Sequence, residues 1–338
     1  MTDLSSMRAS RDSARRPAQR VRVVTQIVRW YFDRVYGRLE GPGILPFYCD
    51  KSRIGEFAAS PDAVRRGESG ALFKLFVALS MYQARRDVLV MEHQRTMSRR
   101  GASVLTSLTT VARRVADNRC PALRSAELFD LTCDVSKING RVDCHRSTRP
   151  CHVKDASVLL RRTGSMGKVA TSAWLHIWHR GLTAELDLAT AASQCPNTRA
   201  EFLVMRFSAL FGIGRKLATM YVAALSTPAL SPGFAPWHPV IDGNGLVVVD
   251  TNVARAIDSI QPSMTNSNYQ SRVGWVKACA SMIDLSRFCR GLDSYSPRIV
   301  QQALYAFTSR SNRVANSDAC GSLGHPCAGC PGAPCPFA

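Results

Sequence analysis

The sequence predicts an all-α fold, and two observations support this. Apolar residues recur with the spacing of a helix face through most of the chain. The alternation typical of strands is confined to one short run, "LVVVD" at 246–250. Helical segments are expected at residues 21–39, 70–94, 169–180, 184–193, 198–210, 214–225, 252–260, 271–284 and 296–310.

The first predicted helix, 21–39, places Val24, Ile27 and Val28 on one face and arginines on the other, and "EGPG" ends it. The second, 70–94, is apolar nearly all round and is expected to be buried. The following elements show the same periodicity. Between 120 and 152 the pattern decays into a polar loop. A second loop, rich in Pro and Gly, is expected at 226–246.

The charge of the chain is strongly positive. Lys and Arg number 44 against 25 Asp and Glu, which gives a formal net charge of +19 at pH 7. Such an excess says little about fold but predicts a polyanionic partner, and nucleic acid fits better than a membrane surface. Apolar residues make up 46% of the chain, which is typical of a folded protein and excludes a largely disordered one.

The N-terminal residues 1–20 are rich in Arg and Ser and contain no apolar segment. We expect a basic, disordered tail here rather than a secretory signal, with phosphate contacts or organelle targeting as alternatives. No apolar run reaches the roughly 18 residues that a membrane span needs. We therefore expect no membrane association and no secretion: a cytoplasmic or nucleoid protein if bacterial, and otherwise a nuclear or organellar one.

A glycine-containing turn joins two predicted helices in "SALFGIGRKLATMYVAAL", at 208–225. Gly212 and Gly214 permit a short turn with positive φ angles. The first N–H groups of the second helix then point outwards and can bind phosphate oxygens, while Arg215 and Lys216 add charge. The segment predicts sequence-independent binding to a nucleic-acid backbone. A plain αα-hairpin with solvated basic side chains is the alternative.

A carboxylate follows, in "VVVDTNVARAID" at 247–258, where an extended run meets the next helix. From the residues alone, Asp250 or Thr251 could simply cap that helix. A functional carboxylate is the second interpretation, and both stay open at this point.

Cysteine is abundant, with 12 residues in the chain, and its placement is uneven. Four lie at the C-terminus with the spacing C-x6-C-x2-C-x4-C: Cys320, Cys327, Cys330 and Cys335. In a chain without an export signal this favours metal ligation in a reducing compartment over disulfides. The spacing is compatible with zinc and with an iron–sulfur cluster.

These motifs resemble those of the endonuclease III-type helix–hairpin–helix (HhH-GPD) DNA glycosylases. "LFGIGRKLA" at 210–218 is similar to the family's L-P-G-V-G-R-K-T-A, with Phe211 in place of proline. "VDTNVAR" at 249–255 is similar to V-D-T-h-h-x-R, and the cysteine tail to C-x6-C-x2-C-x5-C. A weaker likeness joins "LSMYQARRD" at 79–87 to L-S-x-Q-x-x-D. The landmarks occur in the family's order within 70–338, whereas 1–66 and 100–152 match no motif.

The resemblance implies a two-domain helix–hairpin–helix glycosylase fold with a cleft between a six-helix domain and an iron–sulfur domain. The implied parts are the tail at 1–20, an iron–sulfur domain made of 21–66 and 247–338, and a six-helix domain at 67–246, with the helix–hairpin–helix at 198–225 and an unmatched insertion at about 100–152.

The resemblance also implies residue roles. Lys216 would be the nucleophile and Asp250 the catalytic carboxylate. Asp242, in "VIDGN", resembles the L-D-G-N of the adenine-removing branch, but a helix follows Asp250 directly and favours it. DNA contacts would come from Gly212, Ile213, Gly214 and Arg215, while Gln83 would fill the space left by an extruded base. A [4Fe–4S] cluster would be held by Cys320, Cys327, Cys330 and Cys335.

The implied activity is that of a monomeric repair glycosylase that binds double-stranded DNA, flips out a damaged or modified base and excises it. A Schiff base on Lys216 would add AP-lyase cleavage by β-elimination. Lys216 must lose its proton to attack, and burial beside Arg215 is expected to favour the neutral amine. The alternatives are a monofunctional mismatch or adenine glycosylase and a non-catalytic iron–sulfur DNA-binding protein.

Four further cysteines and two histidines lie in or beside the insertion: Cys120, Cys133, Cys144, His145, Cys151 and His152. Their spacings fit no established ligand pattern. Ordinary loop cysteines are therefore the favoured interpretation, with a second metal site as the alternative.

Overall fold

The computed structural model describes residues 19–36, 44–83, 87–138, 141–144, 151–160 and 167–309. Within these ranges the chain is predominantly helical, which confirms the predicted all-α class. The only strands in the described part form one small antiparallel hairpin, β1 (Ser136–Ile138) with β2 (Arg141–Asp143), in which Ser136 pairs with Asp143. No helix of this part is long and apolar enough to cross a membrane.

The helices are α1 (19–31, continued by a π-helical turn at Phe32–Tyr36), α2 (Ile44–Cys49), α3 (Lys51–Ile54), α4 (Pro61–Arg65), α5 (Ser69–Ser80), α6 (Asp87–Thr96), α7 (Arg99–Thr106), α8 (Leu108–Ala116), α9 (Ala126–Thr132), α10 (His152–Leu159), α11 (Gly167–His176), α12 (Leu182–Ala192), α13 (Pro196–Ser208), α14 (Arg215–Ser226), α15 (Thr251–Ile260), α16 (Tyr269–Ala280) and α17 (Pro297–Thr308).

The chain divides into two compact units. Unit 1 contains residues 1–42 and 244–338, and unit 2 contains residues 43–243. The division differs from the expected one, since residues 43–66 belong to unit 2 and not with the chain ends. The reason is local packing: α2 and α4 both pack on α5, and the Arg65 guanidinium lies 4.2 Å from the ring centroid of Phe234.

The core of unit 2 contains an aromatic cluster that fixes the glycine hairpin. The Tyr221 ring on α14 lies 5.0 Å from that of Phe207 on α13 and 5.1 Å from that of Phe76 on α5. The Tyr221 hydroxyl donates to Leu72 O (3.0 Å), so its one polar group is satisfied although the residue is fully buried. The two helices of the hairpin are thereby packed against the central helix of the unit.

The expected long helix at 70–94 is wrong, because α5 ends at Ser80 and α6 begins at Asp87. After the break, α6 packs against α3. Gln94 on α6 is fully buried, donates to Ala78 O (2.9 Å) and accepts from the Tyr82 hydroxyl (3.1 Å). A straight helix would carry this glutamine away from both partners.

Two further expectations need correction. Residues 246–250 form an irregular segment rather than a strand, and Leu246, Val247 and Val248 are buried side chains without a paired neighbouring strand in the described chain. The region 120–152, expected to be a loop, contains α9 and the β1–β2 hairpin.

Candidate nucleic-acid interface and catalytic residues

The glycine hairpin consists of α13, a turn at 209–214, and α14, with the two helices packed against each other. An ion pair fixes α13 to α12: Arg206 donates from Nε and Nη2 to the two carboxylate oxygens of Glu185, at 2.8 and 2.9 Å. The Glu185 side chain is fully buried, whereas that of Arg206 is about one-third exposed. The hairpin therefore starts from a rigidly placed first helix.

The turn itself is held from both sides of Gly212, whose φ of +70° favours glycine. Ile213 is only 2% exposed and donates its N–H to Leu210 O (3.0 Å). Phe211 donates its N–H to Ser172 Oγ on α11 (3.0 Å), and Lys168 Nζ lies 4.7 Å from the Phe211 ring centroid. Ile213 thus anchors the turn in the core of the unit rather than presenting its side chain to a ligand.

The start of α14 presents unpaired donors at an open surface. Gly214 is the N-cap residue, with extended backbone, and offers no side-chain cap. The N–H groups of Arg215 and Lys216 have no acceptor in the described part of the chain, because the first N–H bonded back to Gly214 O is that of Leu217 (3.1 Å). A Cβ built on Gly214 would meet no atom within 4 Å. This arrangement suits an anionic oxygen.

The two basic residues of the motif are both exposed. Arg215 Nη2 forms an ion pair with Glu201 Oε2 on α13 (2.7 Å), with side chains 56% and 43% exposed. The expected burial of Lys216 is therefore absent in the protein alone. Any desolvation of its amine has to come from a bound partner.

Asp250 is the N-cap residue of α15, so the structure has the capping arrangement that the sequence left open. A single oxygen, Oδ1, accepts from Asn252 N (3.0 Å) and Val253 N (2.9 Å). The other oxygen, Oδ2, receives no hydrogen bond from the described residues. The residue is half-buried. Capping therefore occupies one half of the carboxylate and leaves the other available.

The position of Asp250 is fixed by contacts between α15 and α17. Thr308 donates its hydroxyl to Asn252 O (3.0 Å), and Arg255 donates to Thr308 O. Arg298, at the other end of α17, is 1% exposed. Burial lowers the pKa of Arg298 to about 10, and the fields of Tyr31, Tyr269 and Asp250 act in the opposite direction, so the guanidinium stays charged at neutral pH.

The rival carboxylate, Asp242, belongs to the wrong end of the hairpin. Its N–H donates to Pro196 O at the first residue of α13 (3.2 Å). The turn follows the last residue of α13, Ser208. A helix rises about 1.5 Å per residue, so about 18 Å of helix separates Pro196, to which the Asp242 backbone is bonded, from the turn. This distance excludes Asp242 as a direct neighbour of Lys216 within unit 2.

Gln83 lies between α5 and α6, half-buried, and its side-chain amide donates to Ser80 O (2.9 Å). Lys216 belongs to unit 2 and Asp250 to unit 1.

The four tail cysteines, Cys320, Cys327, Cys330 and Cys335, lie outside the described residues. Within the described part, no three Cys, His, Asp or Glu side chains are arranged around a common metal position.

Sequence reasoning missed the residues of α11 that hold the turn. Ser172 and Lys168 precede the glycine motif by about 40 positions, and no local pattern marks either of them. Only the packing of α11 could reveal them.

Comparison of the chain with family models, with curated proteins and with solved structures gives no match.

Proposed function

We propose that this protein is a DNA glycosylase with AP-lyase activity that acts on double-stranded DNA as a monomer. The observation that supports it most is the start of α14, where unpaired N–H donors, open space around Gly214 and the exposed Lys216 occur together. The net charge of +19 agrees with a polyanionic partner.

The turn would bind the DNA backbone rather than the bases. The N–H groups of Arg215 and Lys216 donate to one phosphate, and the positive end of the α14 dipole strengthens the bond. Gly214 allows the phosphate to approach because no Cβ projects there. Arg215 can exchange its exposed partner Glu201 for a phosphate at little cost, since exposed ion pairs contribute about 0–1 kcal/mol.

The reaction would begin with a nucleotide flipped out of the duplex. The neutral amine of Lys216 attacks C1′ of the sugar, the N-glycosidic bond breaks, and the base leaves with its bonding electron pair and takes up a proton. Ring opening gives a Schiff base between Lys216 and C1′, which acidifies the hydrogens on C2′. Loss of one of these with departure of the 3′ phosphate completes β-elimination.

Asp250 would act through Oδ2, the oxygen that capping leaves available. A carboxylate beside the sugar stabilises the positive charge that develops on it as the base departs. Gln83 would occupy the space vacated by the flipped base. The mechanism needs DNA to contact both units, because Lys216 and Asp250 belong to different ones.

The tail cysteines Cys320, Cys327, Cys330 and Cys335 would hold a [4Fe–4S] cluster. This assignment rests on their spacing and on the resemblance described above. The cluster would have a structural role and would position a basic segment near DNA, without taking part in the cleavage.

The decisive experiment is borohydride trapping on duplexes that carry a panel of damaged bases. Reduction of the Schiff base leaves a covalent protein–DNA adduct. We expect the adduct with the natural protein and with Lys277→Ala, a matched control in unit 1, but not with Lys216→Ala. Base release without any adduct, and with full activity of Lys216→Ala, would indicate a monofunctional glycosylase instead.

A second candidate is a non-catalytic DNA-binding protein. The exposure of Lys216 favours it, because nothing in the protein alone prepares this amine for attack. In that case DNA binding would depend on Gly214, and no lesion in the panel would be released.

A further inference from the structure

Four half-buried cysteines of the insertion lie at the joints between its small elements. Cys133 directly follows α9 and donates its N–H to Phe129 O (2.9 Å). Cys120 directly precedes a 3₁₀ turn, Pro121–Leu123, which packs against α9. The packing of that turn therefore brings the chain at Cys120 back to the helix that leads to Cys133.

The β hairpin brings the other two cysteines to the same place. Because Ser136 pairs with Asp143, Cys133 and Cys144 both flank the open end of the hairpin. The Cys144 thiol donates to Asp134 Oδ1 (3.2 Å), beside Cys133. Cys151 directly precedes α10, which packs against β2, and its carbonyl accepts from Asp155 N (3.0 Å).

Electrostatics supports the same grouping. Burial is the main cause that raises the pKa of the Cys133 thiol, and the thiols of Cys151 and Cys120 raise it further, against the lowering effect of Lys168. The Cys151 and Cys120 thiols therefore each lie within electrostatic range of the Cys133 thiol.

We propose that Cys120, Cys133, Cys144 and Cys151 form a structural site for one zinc ion, separate from the C-terminal cysteines. Four thiolates are a closed tetrahedral set, typical of structural zinc. In the described part of the chain no three of these side chains surround a common metal position, so binding requires the four sulfur atoms to move closer together. Small elements without a large apolar core of their own are where a metal contributes most to folding.

The site would also stabilise the glycine turn. Lys168 Nζ donates to Cys133 O (2.7 Å) and lies over the Phe211 ring. The same lysine thus joins the cysteine cluster to the residue before Gly212. A metal that fixes Cys133 would fix Lys168, and through it the turn.

The test uses the full chain with the four tail cysteines replaced by serine, reduced and free of metal. We expect it to bind one equivalent of Co²⁺ with the strong sulfur-to-cobalt charge-transfer absorption of a tetrahedral thiolate site, and Zn²⁺ to displace the cobalt. The readout does not involve base release. The zinc site can therefore fail while the proposed function holds, and the reverse.

Variants in the same background assign the ligands. Cys133→Ser combined with Cys151→Ser should abolish the absorption, whereas Cys49→Ser and Cys195→Ser, outside the cluster, should leave it unchanged. If the double variant unfolds, the intensity in the parent decides, because it rises with the number of bound thiolates. Absence of cobalt absorption, an intensity that corresponds to one thiolate, or a metal-free Cys133–Cys151 disulfide as the stable form would each overturn the proposal.

Discussion

Asp250 combines two roles in one carboxylate, since Oδ1 caps α15 while Oδ2 receives no hydrogen bond from the described residues. Asparagine caps helices about as well as aspartate but carries no charge. Asp250→Asn therefore separates the cap from the chemistry. We expect an unfolding free energy within about 0.5 kcal/mol of the natural protein and a loss of base release on the order of 10²–10⁴-fold. Urea denaturation and single-turnover release assays measure the two effects.

Asp250→Ala is the matched variant, because it removes both roles and should also cost about 1 kcal/mol of stability. Full base release by Asp250→Asn would show that the residue is only a cap and would remove it from the proposed mechanism.

At this scale the sequence reveals residues whose role depends on neighbours in the chain. Gly212 is recognisable because its positive φ belongs to a local turn, and Asp250 because a helix follows it directly. Lys168 and Ser172 are not recognisable, since they act on the turn only through the packing of α11. Nor is the exposure of Lys216, which depends on what surrounds the start of α14.

At the scale of elements, the two glycines of the turn should respond differently to alanine. Gly212 has a φ of +70°, so Gly212→Ala should cost roughly 1–2 kcal/mol in backbone strain, although the new Cβ would meet Val169 at an ordinary 3.7 Å. Gly214 has an extended backbone and open space around it, so Gly214→Ala should fold normally. Its methyl group would nevertheless stand where the phosphate must approach.

Gly214→Ala should therefore weaken DNA binding without a change in melting temperature, as measured by fluorescence anisotropy and by calorimetry. Unchanged affinity would mean that the start of α14 does not contact the DNA backbone, and it would contradict the proposed role of the glycine turn in DNA binding.

The first helix of the hairpin depends on the pair Glu185–Arg206. Arg206→Met would leave a fully buried carboxylate without its partner, which typically costs about 3 kcal/mol. Replacing both residues, Glu185→Met with Arg206→Met, should recover much of that loss, because no buried charge remains. A double-mutant cycle in urea measures the coupling. A loss below about 1 kcal/mol for Arg206→Met would mean that water reaches Glu185.

The helices α13, α14 and α15 lie within a few residues of the bounds expected from apolar periodicity. The helices α2–α4 and α7–α10 lie outside every segment that the sequence predicted to be helical. The break between α5 and α6 cannot be predicted from apolar periodicity, because the residues on both sides of it are apolar. Gln94 determines it by its two buried hydrogen bonds. The β hairpin at 136–143 also escapes sequence reasoning, since strands of three residues are too short to show alternation.

For the whole molecule, the division into units has a functional consequence. Unit 2 is one continuous stretch that contains the hairpin and Lys216, whereas unit 1 joins two separate parts of the chain and contains Asp250. The net charge of +19 belongs to the whole chain. We therefore expect the affinity for DNA to fall steeply as the salt concentration rises, because salt weakens the contacts of Lys and Arg with phosphates. Binding and base excision should therefore be separable by cutting the chain at the unit boundaries.

Residues 43–243 expressed alone should fold, because the aromatic core around Tyr221 and the packing of α2 and α4 on α5 are internal to unit 2. Circular dichroism should show a helical spectrum with a cooperative melt. This chain should bind duplex DNA but release no base, since Asp250 is missing. It should still give a borohydride adduct with a preformed abasic site, because the open sugar aldehyde reacts with Lys216 without a carboxylate to assist departure of a base. Base release at the full rate by residues 43–243 would contradict the role of Asp250, and failure to bind DNA would contradict that of the hairpin.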